Sequence, residues 1–200
     1  MATMIDEFCQ ILLRTGSLKF GTFKLASGLL SPYYVDLRLI PSNPEAFQRT
    51  VAMYRSVLEP DIIKRAQRLA GVPTAGIAYA AVVALNVSKP FLYVRGEQKE
   101  HGRGRRIEGL LQPGDRVVVL DDVVTTGKSI LEAADAIRAE GGIVEDAVVL
   151  LDRQQGADEN LRKSQMKLHS FATVRRIAET LLTLGTIDEE QYKEILGQIE

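Results

Sequence analysis

Two hundred residues, 46% hydrophobic and 26% charged, suffice for one domain with a full core. A formal net charge of −1 provides no global field for nucleic acid or an anionic membrane. The single cysteine excludes an internal disulfide and fits a reducing cytosol, acidic Asp6 and Glu7 argue against a signal peptide, and no apolar run approaches the ~18 residues of a membrane helix.

Residues 4–13 place Ile5, Phe8, Ile11 and Leu12 on one face of a short helix ended by Gly16, with Cys9 read as a small buried hydrophobe. Residues 18–38, LKFGTFKLASGLLSPYYVDLR, alternate apolar and polar positions around Ser27-Gly28 and Ser31-Pro32. That predicts two short strands joined through turns. Small residues there let backbone approach a ligand, although an ordinary surface hairpin has the same pattern. A helix opens at Asn43 or Pro44, carries Phe47, Val51, Tyr54 and Leu58, and is closed by Pro60. A charged stretch, 61–68, then leads into a strand near 69–72. The small-residue turn Pro73-Thr74-Ala75-Gly76 opens an Ala-rich buried helix over 75–87, and 91–94 is the next strand.

Residues 95–106, RGEQKEHGRGRR, hold five Arg or Lys and three Gly without periodicity, which predicts a loop. Its positive charge suits an anion; a solvated hairpin tip fits as well. No aromatics interleave, so a nucleic-acid patch is weakly supported.

The most informative stretch is 117–129, VVVLDDVVTTGKS. The apolar run 117–120, bounded by Pro113-Gly114-Asp115, reads as a strand buried on both faces. Asp121 and Asp122 follow at its carboxyl end. Thr125, Thr126, Gly127 and Ser129 lead into a helix carrying Ile130, Ala133, Ala134 and Ile137, ended by Gly141-Gly142. Free amides and the positive end of a helix dipole favour a phosphate, and hydroxyls add donors. Carboxylates repel phosphate, so the Asp pair suits sugar hydroxyls or a metal. Together these features describe a cradle for a phosphorylated sugar. A nucleotide-triphosphate P-loop is rejected, because Asp122 stands where that motif needs its first glycine.

A strand over 143–151 delivers Asp152-Arg153-Gln154-Gln155-Gly156 to the same sheet edge as the Asp pair. A short helix over 157–163 precedes an edge strand, 168–171, in which His169 reads as structural. Val174, Ile177, Ala178 and Leu181 define a helix ended by Gly185. Thr186-x-x-Glu189 reads as the capping box of a last helix with Tyr192, Ile195, Leu196 and Ile199 on one face. Strands alternate with helices from 69 to 151, so the sheet should be mainly parallel.

The 117–129 stretch resembles the phosphoribosyl pyrophosphate (PRPP) motif of type I phosphoribosyltransferases. The order Phe-x-Leu-x-Ser-Gly-x-x-Ser-x-Tyr-Tyr-x-Asp, residues 23–36, is similar to the N-terminal signature of orotate phosphoribosyltransferases. The resemblance implies an α/β fold with a mainly parallel central sheet flanked by helices. A small hood, about 1–40 with the C-terminal helices, would cover a core of about 60–170 in one domain. It implies PRPP contacts from Thr74, Ala75 and Gly76 at the pyrophosphate loop, and from Asp121, Asp122, Val123, Val124, Thr125, Thr126, Gly127, Lys128 and Ser129. Arg-x-Glu-x-Lys-x-His-Gly at 95–102 resembles the family's catalytic loop, so Arg95, Lys99 and His101 would contact pyrophosphate, often across a dimer. Lys99, His101, Asp121 and Asp122 are the catalytic candidates. Asp-Arg-x-x-Gly resembles the segment whose arginine pairs with the orotate carboxylate; Arg153 would bind the base with Thr125, Lys24, Ser27 and Gly28. The fork of a guanidinium matches a carboxylate in bidentate geometry. Mg²⁺ is expected, held mainly by PRPP and water, in a cytoplasmic homodimer without nucleic-acid or membrane partners. Ala26, Ala75 and Gly96 stand where relatives often carry lysine, with Lys24 on the same strand face as Ala26. These departures leave open a transferase for another base, or a non-catalytic PRPP or nucleotide sensor.

Overall fold

A computed structural model describes residues 3–24, 30–58, 61–96 and 106–199. Helix α1 (Met4–Arg14) is closed at its start by a Thr3–Asp6 capping box. It buries Phe8, Cys9, Ile11 and Leu12, the face its spacing predicts. Burial pushes the Cys9 thiol up to about 12, so it stays protonated and inert. Strands β1 (Leu18–Lys24) and β2 (Leu30–Val35) pair antiparallel as a separate two-stranded sheet. A 3-10 turn over Leu37–Ser42 follows, unanticipated from sequence. It forms because the Asp36 side chain accepts the Arg38 N–H and starts the turn.

Helix α2 (Pro44–Leu58) buries Val51, Tyr54 and Leu58. The charged stretch after it contains a one-turn helix, α3 (Asp61–Arg65), which the sequence reading left without structure; Ile62 anchors it in the core. Then come β3 (Arg68–Gly71), α4 (Ala75–Asn86), β4 (Phe91–Val94), β5 (Ile107–Glu108) and β6 (Arg116–Val124). The chain continues through α5 (Lys128–Ala139), β7 (Ile143–Asp152), α6 (Ala157–Lys163), β8 (Lys167–Thr173), α7 (Val174–Thr183) and α8 (Glu189–Leu196).

The main sheet runs β5-β4-β3-β6-β7-β8, parallel throughout except for β5. Alternation along β6 divides the core. Val118 and Leu120 join the cluster containing α1, α2, α4 and α7, whereas Val117 and Val119 join that of α5 and α6. The helices that follow neighbouring strands β3 and β6 thus lie on opposite faces. Their loops diverge at the carboxyl ends of two adjacent strands, the place where an open α/β sheet leaves a crevice.

Two expectations are corrected. β6 does not stop at Leu120: Asp121, Val123 and Val124 continue its ladder with Val149, Leu151 and Asp152 of β7. The acidic pair therefore stands on the strand itself. The last helix is capped by Asp188 with Gln191, not by Thr186 with Glu189. Ile187 is buried at 4% exposure, so the helix starts two residues later than the motif suggests. His169 Nε2 lies 2.8 Å from Asp146, which also takes Arg65 at 3.2 Å. These contacts sit toward the amino end of β7, so His169 is structural, as read.

Candidate active site

The end of β6 carries two carboxylates into a mostly buried position. Asp121 is 8% exposed, and its carboxylate accepts the N–H groups of Asp122 (3.0 Å) and Gly76. Burial, and then the neighbouring Asp122 charge, push Asp121 well up. Burial also raises Asp122, although the Val123 N–H donates to its carboxylate at 2.9 Å. Asp121 is the more buried of the two, which favours its neutral form. The Tyr54 hydroxyl donates to the Asp121 carbonyl at 2.6 Å and that of Tyr79 to the Leu37 carbonyl at 2.7 Å. Burial, followed by the Asp122 charge, keeps both phenols protonated.

Sequence reading missed the ion pair beside them. Arg38 Nε and Nη2 grip Asp36 at 2.6 and 2.8 Å, and the fields of Asp36 and Arg38 both reach Asp122. The Asp-x-Arg spacing was the available signal. A carboxylate and a guanidinium two residues apart are close enough to pair locally.

Two helix starts flank the acidic pair. On one side Thr74, Ala75 and Gly76 enter α4. Gly76 is required: a Cβ there would lie 2.6 Å from the Leu120 carbonyl oxygen. On the other side Thr125 and Thr126 lead to Gly127, which starts α5 with φ +81° and no side-chain cap. Asn160 Nδ2 pins this loop by donating to the Thr126 carbonyl at 2.9 Å, another contact sequence did not reveal. Lys128 and Ser129 form the exposed first turn of α5, and Val123 and Val124 close β6 beneath it. The uncapped first-turn amides and the helix dipole make a seat for a phosphate.

Arg153 leaves β7 on the same edge, its N–H donating to the Val124 carbonyl at 2.9 Å. Its side chain folds inward to 9% exposure, and Nη2 is buried without a hydrogen-bond partner in the described residues. A buried donor in that state awaits an acceptor. Arg95 lies at the end of β4, where Nη1 contacts Glu108 at 3.1 Å, so its charge is engaged at the sheet edge. Lys24 ends β1, exposed and in register with Leu30, and the described residues give it no contact with Arg153 or the Asp pair. Lys99, His101, Ser27 and Gly28 lie outside the described residues, as does Ala26. The structure thus brings together Asp121, Asp122, the 74–76 and 125–129 loops and Arg153. Among the described residues no cluster of three or more His, Cys, Asp or Glu could cage a metal. The acidic pair fits a cation that arrives already coordinated by a diphosphate.

A helix start open to a phosphate, a buried acid pair and a second small-residue loop around one crevice are the parts from which a phosphoribosyltransferase site is built. The family model described as "phosphoribosyl transferase domain" matches residues 63–171, from α3 into β8. The orotate phosphoribosyltransferase of Pyrobaculum aerophilum is 46% identical over 192 residues, 94% of this chain and 95% of that relative. That of Pyrobaculum islandicum is 42% identical over 98% and 97%. The crystal structure of the orotate phosphoribosyltransferase from Aeropyrum pernix superposes with a TM-score of 0.81 at 37% identity, over 90% of this chain and 99% of that one. The chain belongs to the orotate phosphoribosyltransferase family.

Proposed function

We propose that the protein transfers the 5-phosphoribosyl group of PRPP to orotate, giving orotidine 5′-monophosphate and pyrophosphate, a step of UMP biosynthesis. The observation that carries this reading is Arg153, which leaves β7 at the same sheet edge as the acidic pair and buries an unpartnered Nη2. A base carboxylate matches that guanidinium in both charge and fork geometry, whereas a neutral purine offers acceptors without the opposing charge.

In this reading the ribose 5-phosphate sits on the amides and hydroxyls of 125–129, and Asp121 and Asp122 hold the ribose diol. The bond from the anomeric carbon to pyrophosphate breaks as a ring nitrogen of orotate bonds from the opposite face. Orotate arrives as an anion, so no strong general base is needed. The chain's tasks are alignment and neutralisation of the leaving group. The Thr74 and Ala75 amides face the diphosphate, that of Gly76 being held by Asp121, and Lys99 and His101 supply cations, joined by Arg95 once it leaves Glu108. Mg²⁺ held mainly by PRPP and water would supply further positive charge, with Asp121 and Asp122 the carboxylates that could meet it. A homodimer in which the 95–106 segment covers the partner's site would exclude water from PRPP. A cytoplasmic location fits a biosynthetic role, and among the described residues no helix is long and apolar enough to cross a membrane.

The test is release of pyrophosphate with PRPP and each of orotate, uracil, hypoxanthine and adenine. Turnover with orotate alone, stopped by chelation and restored by Mg²⁺, is expected. Turnover with another base in place of orotate overturns the assignment. PRPP binding without turnover on any base points to the sensor reading that Ala26, Ala75 and Gly96 motivate. Lys99→Ala is expected to lower kcat about tenfold or more while PRPP still binds, since it removes one cation from the leaving group. Single-turnover rates beside a PRPP binding isotherm check it.

A further inference from the structure

Tyr33 belongs to the small β1–β2 sheet, yet only 2% of it is exposed. Ser31 Oγ donates to its carbonyl at 2.8 Å and is itself buried, which fixes the backbone there. Its hydroxyl accepts the Arg153 Nε–H at 3.2 Å, and its ring lies under the guanidinium, 4.9 Å from Cζ to the ring centroid. The same guanidinium has Nη2 buried and unpartnered.

A guanidinium can meet a carboxylate through two edges, Nε with Nη2 or Nη1 with Nη2. Tyr33 occupies Nε, which closes the first edge. We propose that Tyr33 is the positioning residue for base recognition. It clamps Arg153 by hydroxyl and ring face, so that only the Nη1–Nη2 edge is presented to the carboxylate of the incoming base. This deepens the reading above and rests on it. The residue type matters. Aspartate or glutamate in this place would hold the guanidinium equally well but cancel its charge and compete with the substrate anion. A phenol is neutral near pH 7, so it orients the arginine and leaves the full positive charge available. The ring face adds a cation–π contact, which again places no opposing charge nearby.

Tyr33→Phe keeps the ring and removes the acceptor. The KM for orotate should rise about tenfold, the scale of one hydrogen bond to a charged group. Both kcat and the KM for PRPP should stay within about twofold, because the phosphoribosyl site is untouched. A general loss of folding would move all three together. Tyr33→Leu, which also removes the ring face, should raise the orotate KM further. A second measurement needs no variant at position 33. In the wild-type protein one arginine Nε–H, absent from the spectrum of Arg153→Met, should exchange slowly with solvent. An orotate KM within about twofold of wild type in Tyr33→Phe overturns the proposal, as does an equal rise for PRPP or rapid exchange of that Nε–H. A wild-type protein that turns over another base and not orotate overturns the functional assignment first. Wild-type orotate turnover with an unchanged Tyr33→Phe overturns the positioning role alone.

Discussion

Arg153→Met is expected to raise the KM for orotate at least about a hundredfold and leave PRPP binding intact. Removing one partner of a buried, hydrogen-bonded charge pair costs about 2–5 kcal/mol, and each 1.4 kcal/mol is about tenfold in affinity. At least the lower part of that range is expected here, because Arg153 is 9% exposed and water cannot replace the lost donors cheaply. Methionine keeps an unbranched apolar side chain against the Tyr33 ring, so the packing change is small. It also removes a donor, Nη2, that the free protein buries unpaired, so thermal stability should not fall in proportion to activity. Arg153→Lys keeps the charge but not the fork, and should recover only part of the affinity. Steady-state kinetics with each substrate varied in turn, alongside melting curves, check the set. An orotate KM unchanged in Arg153→Met would remove the central support for an acidic base.

The sequence made the core of this site legible because its parts are local. The apolar run, Asp pair, small-residue loop and amphipathic helix occur in one stretch, and the structure builds β6, the crevice and α5 from them. Arg153 was legible because a strand pattern delivers it to the same edge. What escaped were features decided by tertiary contact. Asp is a poor strand former, yet the β7 ladder and the burial of Val124 carry β6 past both carboxylates. Ile62 turns a charged stretch into a helical turn only because a core awaits it. The Tyr33–Arg153 contact joins residues 120 positions apart, beyond the reach of any periodicity. Tyr54 and Tyr79 looked like helix-face apolar residues, and their hydroxyls matter only because the Asp121 and Leu37 carbonyls lie within 2.6 and 2.7 Å.

The acidic pair should act on stability and on activity with opposite sign. Asp122→Asn is expected to melt higher than the free wild-type protein at neutral pH and to lose about a hundredfold in kcat/KM for PRPP. An unfolded aspartate titrates near about 3.9. Both folded carboxyls lie above that, first because of burial. Above the unfolded value the native state therefore holds more protons than the unfolded chain, and stability falls as pH rises through the folded titration. Asparagine has no charge to desolvate, so the Tm should rise and its decline with pH should flatten. The ribose diol and any diphosphate-bound cation instead need the charge, and Asp122 is better placed to carry it than the more buried Asp121, whose burial favours the protonated form. Asp121→Asn mimics that protonated partner and should therefore lose less activity than Asp122→Asn. Melting curves from pH 4 to pH 8 without ligand, with kcat/KM for PRPP on both variants, decide the matter. A Tm that falls in both, or equal losses of activity, would show that the proton is not placed as the burial of the pair dictates.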